Sequence, residues 1–192
     1  MANRGQFPDY FNGPVPSFGS EQPSLLIVGL APGLKGANRT GRPFTGDYAG
    51  DLLYPTLQKF GFADGEYRAD PGDSLVLRDA RLINAVRCVP PQNKPERIEI
   101  VTCRAFFEAE LATFSRVKVI VALGGIAHGA ILAAHGLRPS AQKFSHGGEF
   151  ALPTGVTLLA TYHPSRRNTN SGLLTTTMFH EIFARVRQRV DA

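Results

Sequence analysis

Four short apolar stretches set the hydrophobic pattern of this chain. They occupy residues 25–30, 80–86, 117–123 and 156–161. Each has the length of a strand and few polar positions, which is typical of strands buried on both faces of a parallel sheet. Between and after these stretches, apolar residues recur at helical spacing. The helices predicted from that spacing cover residues 52–60, 95–114, 126–135 and 173–190.

Strand and helix therefore alternate four times along the chain. The economical fold for this alternation is a three-layer α/β/α sandwich, in which helices cover both faces of a central four-stranded parallel sheet. No linker divides the chain, so residues 1–192 are expected to form a single domain. The loops that leave three of the strands, residues 29–47, 84–95 and 163–171, should then meet at one edge of the sheet.

Local signals refine some of these elements. Pro55 fits best in a first helical turn, so the first helix is expected to begin near Leu52 or to be kinked. Residues 141–162 are expected to hold a Gly-Gly turn, a short hairpin and the last strand. Residues 63–79 are expected to be irregular. Residues 1–24 should cover the domain through four aromatic anchors: Phe7, Tyr10, Phe11 and Phe18.

The loop after the first strand is the most unusual stretch of the sequence. Residues 29–47 hold five glycines, two prolines and three cations, together with Phe44 and Asp47. Glycines allow positive φ angles and let a ligand approach main-chain N–H groups. Long loops of this kind in compact domains are usually functional. We therefore expect a ligand site here, outside the carboxyl end of a strand.

Composition adds a compartment and a class of partner. No apolar run reaches the roughly 18 residues of a membrane span, and no signal peptide is evident, so a soluble cytoplasmic protein is expected. The two cysteines make neither a disulfide framework nor a complete four-ligand metal site. The net charge is +5, with five arginines against two acids in residues 160–192. This imbalance suits a polyanion such as DNA.

Four residues in the three loops carry candidate chemistry, and each also has a structural interpretation. Asp47 precedes a helix and can act as its N-cap or as a catalytic carboxylate. Asn84 can hold a turn or bind a nucleobase edge, and Phe44 can pack in the core or stack on an extruded base. His163 can pack within its loop, although its place at the end of a strand favours function. The glycine loop itself contains neither a dinucleotide fingerprint nor a P-loop.

The three loops together resemble a known family. GLAPGLKGANRTGRPFTGD, NAVRCVPPQNKP and HPSRRNTNSGLLT occur in this order, and they resemble the uracil-DNA glycosylase superfamily, most closely its type-b (fifth-family) enzymes. The resemblance runs from about Pro14 to the last helix. It implies the superfamily's four-stranded parallel sheet between layers of helices, in agreement with the pattern above.

The resemblance also implies a role for each motif. Phe44 would stack on an extruded base, Asn84 would hydrogen-bond its Watson–Crick edge, and His163 would donate toward the base carbonyl beside the breaking bond. The catalytic set would be Asp47, His163 and Asn84, in which Asp47 supplies the carboxylate and either Asp47 or Asn84 orients the water. The substrate-binding set is Gly29, Leu30, Ala31, Pro32, Gly33, Phe44 and Asn84. The expected DNA contacts are Lys35, Arg39, Arg42, Ser165, Arg166, Arg167, Asn168 and Asn170, with Arg166 or Arg167 filling the gap in the base stack.

The chain departs from its relatives at informative positions. Ala31 and Gly33 stand where the best-known enzymes have a water-orienting Asp and a thymine-excluding aromatic residue, so a roomier pocket is implied. The iron–sulphur members have four cysteines. Two of them have counterparts in this chain, Cys88 and Cys103, and the other two have none. We therefore expect no cluster, metal or other cofactor, with the two cysteines as relic or packing residues.

These inferences predict a DNA repair glycosylase. It would remove uracil from double- and single-stranded DNA by base flipping and leave an abasic site. The roomier pocket suggests further substrates such as hypoxanthine, xanthine and ethenocytosine. A monomer with no membrane association is expected. The alternative is a module that binds damaged or single-stranded DNA without cleaving it. The joint presence of Asp47, Asn84 and His163 argues against that alternative, because binding alone would not require all three.

Overall fold

A mixed sheet forms the centre of the protein, whose computed structural model describes residues 4–192. In that part of the chain, the strands of the sheet are β1 (Phe18–Gly19), β2 (Leu25–Gly29), β5 (Ala80–Asn84), β6 (Val119–Leu123), β7 (Glu149–Ala151) and β8 (Thr157–Thr161). They lie side by side in the order β1-β5-β2-β6-β8-β7. The central four, β5-β2-β6-β8, are all parallel, as predicted. The edge strands β1 and β7 are antiparallel to their neighbours.

Helices cover both faces of this sheet. They are α1 (Ala37–Thr40), α2 (Tyr48–Lys59), α3 (Arg97–Leu111), α4 (Gly125–Ala134), α5 (Arg166–Asn170) and α6 (Thr176–Asp191). Residues of α2 and α6 belong to one hydrophobic cluster, and residues of α3 and α4 to a second. The α/β/α sandwich predicted from the sequence is therefore confirmed. Within residues 4–192, no helix combines the length and the apolarity needed to span a membrane.

Strand β2 shows why the central strands lack a polar face. Leu25 and Ile27 point into the cluster beneath α2 and α6, whereas Leu26 and Val28 point into the cluster beneath α3 and α4. Successive side chains of a strand point to opposite faces, so a strand covered on both sides needs apolar residues at every position. The continuous apolar run in the sequence is the direct consequence.

Helix α2 begins earlier than the sequence suggested. It starts at Tyr48 with Asp47 as its N-cap, and Pro55 lies inside it. The expectation of a start near Leu52 was wrong, because a proline in the helix interior removes one backbone hydrogen bond but does not forbid the helix. Pro55 and Asp51, whose carbonyl loses its donor, are both exposed. Water can therefore satisfy that carbonyl.

The segments expected to be irregular contain short ordered elements. Residues 63–79 hold two paired strands, β3 (Ala63–Asp64) and β4 (Val76–Leu77). In the N-terminal segment, Phe7 stacks on Tyr10 and Phe18 packs against the core. Phe11 is 45% exposed and is a weaker anchor than predicted. These elements are too short for a periodic pattern to reveal them.

Candidate active site

The loops that follow β2, β5 and β8 meet at the carboxyl edge of the sheet. They enclose a cavity of about 360 Å³. Its lining is Leu30, Ala31, Pro32, Gly33, Ala37, Phe44, Asp47, Asn84, Asn93, His163 and Ser165. The first of the four parallel strands, β2, has β5 on one side and β6 on the other. Open α/β sheets bind ligands at such a switch point.

Gly29 packs closely against two residues that line the cavity, Phe44 and Asn84. It ends β2 and lies opposite Asn84 of β5 in register. A Cβ atom built on Gly29 would lie 2.5 Å from Oδ1 of Asn84 and would collide with the ring of Phe44. The absence of a side chain therefore lets the amide and the aromatic ring converge above the strand end.

Phe44 is held in an unfavourable backbone conformation. Its φ angle is 53°, in the left-handed region that residues other than glycine rarely adopt. Two tyrosines support this turn: the hydroxyl of Tyr54 donates to the Pro43 carbonyl at 2.5 Å, and that of Tyr67 to the Phe44 carbonyl at 3.3 Å. The Phe44 ring lies 6.2 Å from that of His163, centroid to centroid. Strain of this kind at a ligand site indicates a side chain placed for function.

Asp47 caps a helix and faces the cavity at the same time. Its Oδ1 accepts a hydrogen bond from the Gly50 N–H at 3.2 Å, so the N-cap role is confirmed. Its Oδ2 lies beside the glycine loop. A Cβ atom built on Gly36 would be only 2.5 Å from this oxygen. Burial raises the pKa of the Asp47 carboxyl, and the backbone N–H groups of α2 oppose that rise. A desolvated carboxylate therefore faces the cavity.

Asn84 has an unsatisfied hydrogen-bonding atom at the cavity wall. The residue is only 7% exposed, and its Oδ1 is buried without a partner among the described residues. Buried polar atoms in native proteins nearly always have a partner, and an exception calls for an explanation. A ligand that offers an N–H donor inside the cavity would satisfy this acceptor.

His163 is an imidazole that stays neutral at physiological pH. Burial lowers its pKa to about 4. Its main chain is fixed by two donors, because the Ser165 N–H and the Asn168 side-chain amide both bond the His163 carbonyl, at 2.8 and 2.9 Å. A neutral imidazole keeps one N–H donor and one acceptor. The ring can thus donate a hydrogen bond without carrying a charge.

Arg42 is a correction to the expected set of DNA contacts. Its guanidinium makes a bidentate ion pair with Asp73, with N–O distances of 2.7 and 2.8 Å. The two side chains are only 6% and 0% exposed. The guanidinium also lies over the rings of Phe18 and Tyr54. Arg42 is therefore a structural residue that joins the glycine loop to the acidic segment after β3.

We expect Asp73→Asn to destabilise the protein strongly. The change leaves the Arg42 charge buried without its partner, and breaking a buried pair typically costs about 3–5 kcal/mol. Denaturant unfolding at neutral pH measures this loss. The matched control is Asp64→Asn, which breaks the Asp64–Arg78 pair, where both side chains are more than 60% exposed. That control should cost no more than about 1 kcal/mol.

The pH dependence of stability gives a second readout for this pair. The hydrogen bonds from Arg42 lower the pKa of Asp73 to about 2, from an ordinary value of 3.8. A carboxyl with a lowered pKa stabilises the fold fully above its unfolded pKa and loses that contribution as pH falls toward its folded pKa. Wild type should therefore lose stability relative to Asp73→Asn between pH 3.8 and about 2. Equal losses in the two proteins would contradict the assignment.

The other predicted polar contacts occupy three kinds of position. One group is exposed and lies in the loops that follow β2 and β8: Lys35, Arg39, Arg166, Arg167 and Asn170. Ser165 lines the cavity and caps α5 by accepting from the Asn168 N–H. Asn168 donates its side-chain amide to the His163 carbonyl. Its observed contact is thus internal, and it orients the loop that carries His163.

Asn93 is a cavity residue that the sequence did not reveal. Its Oδ1 accepts from the Leu34 N–H at 2.8 Å, which ties the loop after β5 to the glycine loop. The residue has a φ angle of 57°, which asparagine tolerates better than most residues. The sequence signal is an asparagine within PPQNKP, a stretch whose prolines indicate only a loop.

The cysteines lie outside this cavity. Cys88 is exposed and Cys103 is half-buried, so neither is a core packing residue. Both border a separate recess of about 260 Å³ beside α3. Within residues 4–192, no group of three or more His, Cys, Asp or Glu side chains lies close enough together to hold a metal ion. Cys88 and Cys103 by themselves supply two of the four ligands that a four-cysteine iron–sulphur cluster takes.

Comparison with known proteins places this geometry in a family. The model of the uracil DNA glycosylase superfamily matches residues 16–187. The Type-5 uracil-DNA glycosylase of Thermus thermophilus is 48% identical over 179 residues, which cover 93% of this chain and 81% of the relative. That of Mycobacterium leprae is 46% identical, covering 95% and 82%. That of Mycobacterium bovis is 42% identical, covering 98% and 72%. The chain belongs to the uracil DNA glycosylase superfamily.

Proposed function

We propose that this protein hydrolyses the N-glycosidic bond of uracil in DNA, working as a single monomeric domain. The unpartnered Oδ1 of Asn84 carries the proposal, because it lies in a cavity that also presents a carboxylate and a neutral imidazole. A cavity of about 360 Å³ lies within the range of small-molecule sites. The names of the three relatives support uracil in DNA as the substrate.

In the proposed complex, Phe44 and Asn84 recognise the extruded base. The Phe44 ring offers an aromatic face on which the base stacks. The Asn84 amide has one acceptor and two donors, which match the N3–H donor and the O4 acceptor of uracil. Asn84 therefore distinguishes uracil from cytosine, which does not offer these two groups. Thymine does offer them, so only the shape of the cavity can discriminate against its 5-methyl group.

His163 and Asp47 divide the proposed chemistry between the two products. As the glycosidic bond breaks, negative charge develops on the base, and the neutral His163 N–H donates to the adjacent carbonyl. Positive charge develops on the sugar, and the Asp47 carboxylate stabilises it and orients a water for attack at C1′. The water oxygen bonds to C1′, its proton passes to the carboxylate, and the base departs as an anion that solvent protonates. The products are free uracil and an abasic site.

The proposed partner is DNA, double- or single-stranded. The net charge of +5 and the exposed arginines around the cavity favour a polyanion. Extruding a base costs a few kcal/mol, and the cost is smallest at mismatches and in single strands. We therefore expect faster excision from U·G pairs and single-stranded DNA than from U·A pairs.

One assay tests the activity against the alternative of a non-catalytic DNA-binding module. The purified protein is incubated with a labelled uracil-containing oligonucleotide, treated with alkali and resolved on a denaturing gel. Cleavage at the uracil position is the expected result, because alkali breaks DNA at abasic sites. Gel retardation without cleavage would contradict the glycosylase and favour the binding module.

Gly33 is proposed to widen the range of bases to hypoxanthine, xanthine and ethenocytosine. A Cβ built there meets only Oδ2 of Asp47, at 3.8 Å, so the cavity is open at this position. Gly33→Tyr should reduce excision of hypoxanthine at least about tenfold more than excision of uracil, since pocket fit discriminates by about 10–200-fold. Single-turnover rates on matched oligonucleotides measure the ratio. Gly5→Tyr, at an exposed position with no atom within 4 Å, is the control. Equal losses on both bases would contradict this role.

A further inference from the structure

Arg166 and Tyr48 form a contact between the start of α5 and the start of α2. Tyr48 is the first residue of α2 and directly follows Asp47. Arg166 is the first residue of α5 and lies three positions after His163. The Arg166 guanidinium carbon lies 5.3 Å from the centroid of the Tyr48 ring, within cation–π distance. The contact therefore joins the segment carrying the carboxylate to the segment carrying the imidazole.

The chemistry of this contact differs from that of the buried Arg42. Arg42 spends its planar N–H donors on Asp73. Arg166 is exposed and takes part in none of the ion pairs formed within residues 4–192. An aromatic ring attracts a cation through its face, which leaves the N–H donors in the guanidinium plane available. Tyr48 can thus orient Arg166 while leaving its charge and its donors free.

We propose that Tyr48 is a positioning residue that holds Arg166 as a contact to a DNA phosphate beside the extruded nucleotide. The proposal rests on the proposed function, and it distinguishes the two neighbouring arginines. Arg166 acts as a phosphate ligand oriented in advance by Tyr48, whereas Arg167 has no ring contact among the described residues. Orienting the side chain before binding reduces the entropy lost when the phosphate binds.

Equilibrium binding tests this proposal without requiring catalysis. The probe is a fluorescein-labelled duplex with one tetrahydrofuran abasic-site analogue opposite guanine, titrated at several salt concentrations. Arg166→Ala should lower the slope of log K against log salt by about 1, the value of one lost phosphate contact. Tyr48→Leu should weaken binding about two- to fivefold, as expected for an exposed cation–π contact. Tyr48→Phe retains the ring face and should bind like wild type.

Double variants separate positioning from a general structural effect. The loss caused by Tyr48→Leu should vanish in an Arg166→Ala background and persist in an Arg167→Ala background. A folding defect would weaken binding in both backgrounds, and such additivity would overturn the proposal. An unchanged salt slope in Arg166→Ala would overturn it as well. Absence of uracil excision by the wild-type protein would refute the proposed function separately, because the abasic probe reports on binding alone.

Discussion

Asp47→Asn is expected to lower the single-turnover rate of uracil excision by about 10²–10⁴-fold, the usual contribution of a positioned acid–base group. The amide keeps the shape of the side chain and can still accept from the Gly50 N–H. Asparagine is as good an N-cap as aspartate, so α2 should stay intact. What disappears is the negative charge that stabilises the sugar cation and the basic oxygen that takes the proton of water.

Two controls separate this charge from the cap. Asp47→Ala removes both the charge and the cap. Its free energy of unfolding should therefore be about 0.5–2 kcal/mol lower than that of Asp47→Asn. Thr175→Ala removes the equivalent cap of α6, where the Thr175 hydroxyl accepts from the Met178 N–H. It should cost a similar amount of stability and leave the excision rate unchanged. A wild-type rate in Asp47→Asn would show that the carboxylate has no catalytic role.

The Asp47 pKa gives this prediction a pH signature. Because burial raises the pKa, excision should decline as pH falls through a value above the ordinary 3.8. The same shift affects stability. A raised carboxyl pKa contributes stability below the unfolded pKa and loses it as pH rises through the folded pKa. At neutral pH the Asp47 charge therefore destabilises the fold, so Asp47→Asn should excise uracil more slowly and be at least as stable as wild type. Thermal unfolding of the two proteins at pH 7 measures the difference.

His163→Ala is the second substitution expected to have a large effect, about 10²–10³-fold on the single-turnover rate with duplex binding retained. This is the usual loss when one preorganised donor to a developing anion is removed. The reason is the neutral N–H, which the ring keeps because its pKa is about 4. His163→Gln, which restores an N–H donor on a flexible chain, should recover part of the rate.

The pH profile and a remote histidine complete this test. His163 should contribute no change in rate between pH 6 and 8, since its folded pKa of about 4 lies well below that range. Its lowered pKa also means that the fold loses stability as pH falls from 6.5 toward 4, when the unfolded chain binds the proton first. His180→Ala, on α6 beside Lys59, is the matched control and should keep the wild-type rate. Full activity of His163→Ala would show that another donor stabilises the departing base.

The main strands of the sheet were predictable because burial on both faces requires apolar residues at nearly every position. The four parallel strands needed continuous apolar runs, and α3 carries two acids, Glu96 and Glu99, at its positive N-terminal end. The start of α2 was harder to predict, because Pro55 suggested a boundary that the tertiary structure overrides. The hairpin expected within residues 141–162 is present, because β7 pairs antiparallel with β8. Strand β1 is only two residues long, and a segment of that length is ordered by its neighbour in the sheet, which no local pattern reveals.

The sequence by itself determined which residues the active site could use. The glycine loop, the strand-end asparagine and the histidine before a proline are local features, and each loop follows a strand whose direction the apolar pattern predicts. The sheet then brings their ends together, because parallel strands share one carboxyl edge.

The tertiary structure decided what each of those residues can do. Arg42 became a buried partner of Asp73, 31 positions away, whereas Arg166 stayed exposed on the ring of Tyr48. The Asn84 Oδ1 is buried without a hydrogen-bond partner among the described residues, and burial lowers the pKa of His163. Charge pairing and desolvation depend on neighbours that are distant in the chain, so a pattern of residue types can propose these roles, whereas the surroundings of each side chain follow only from the packed fold.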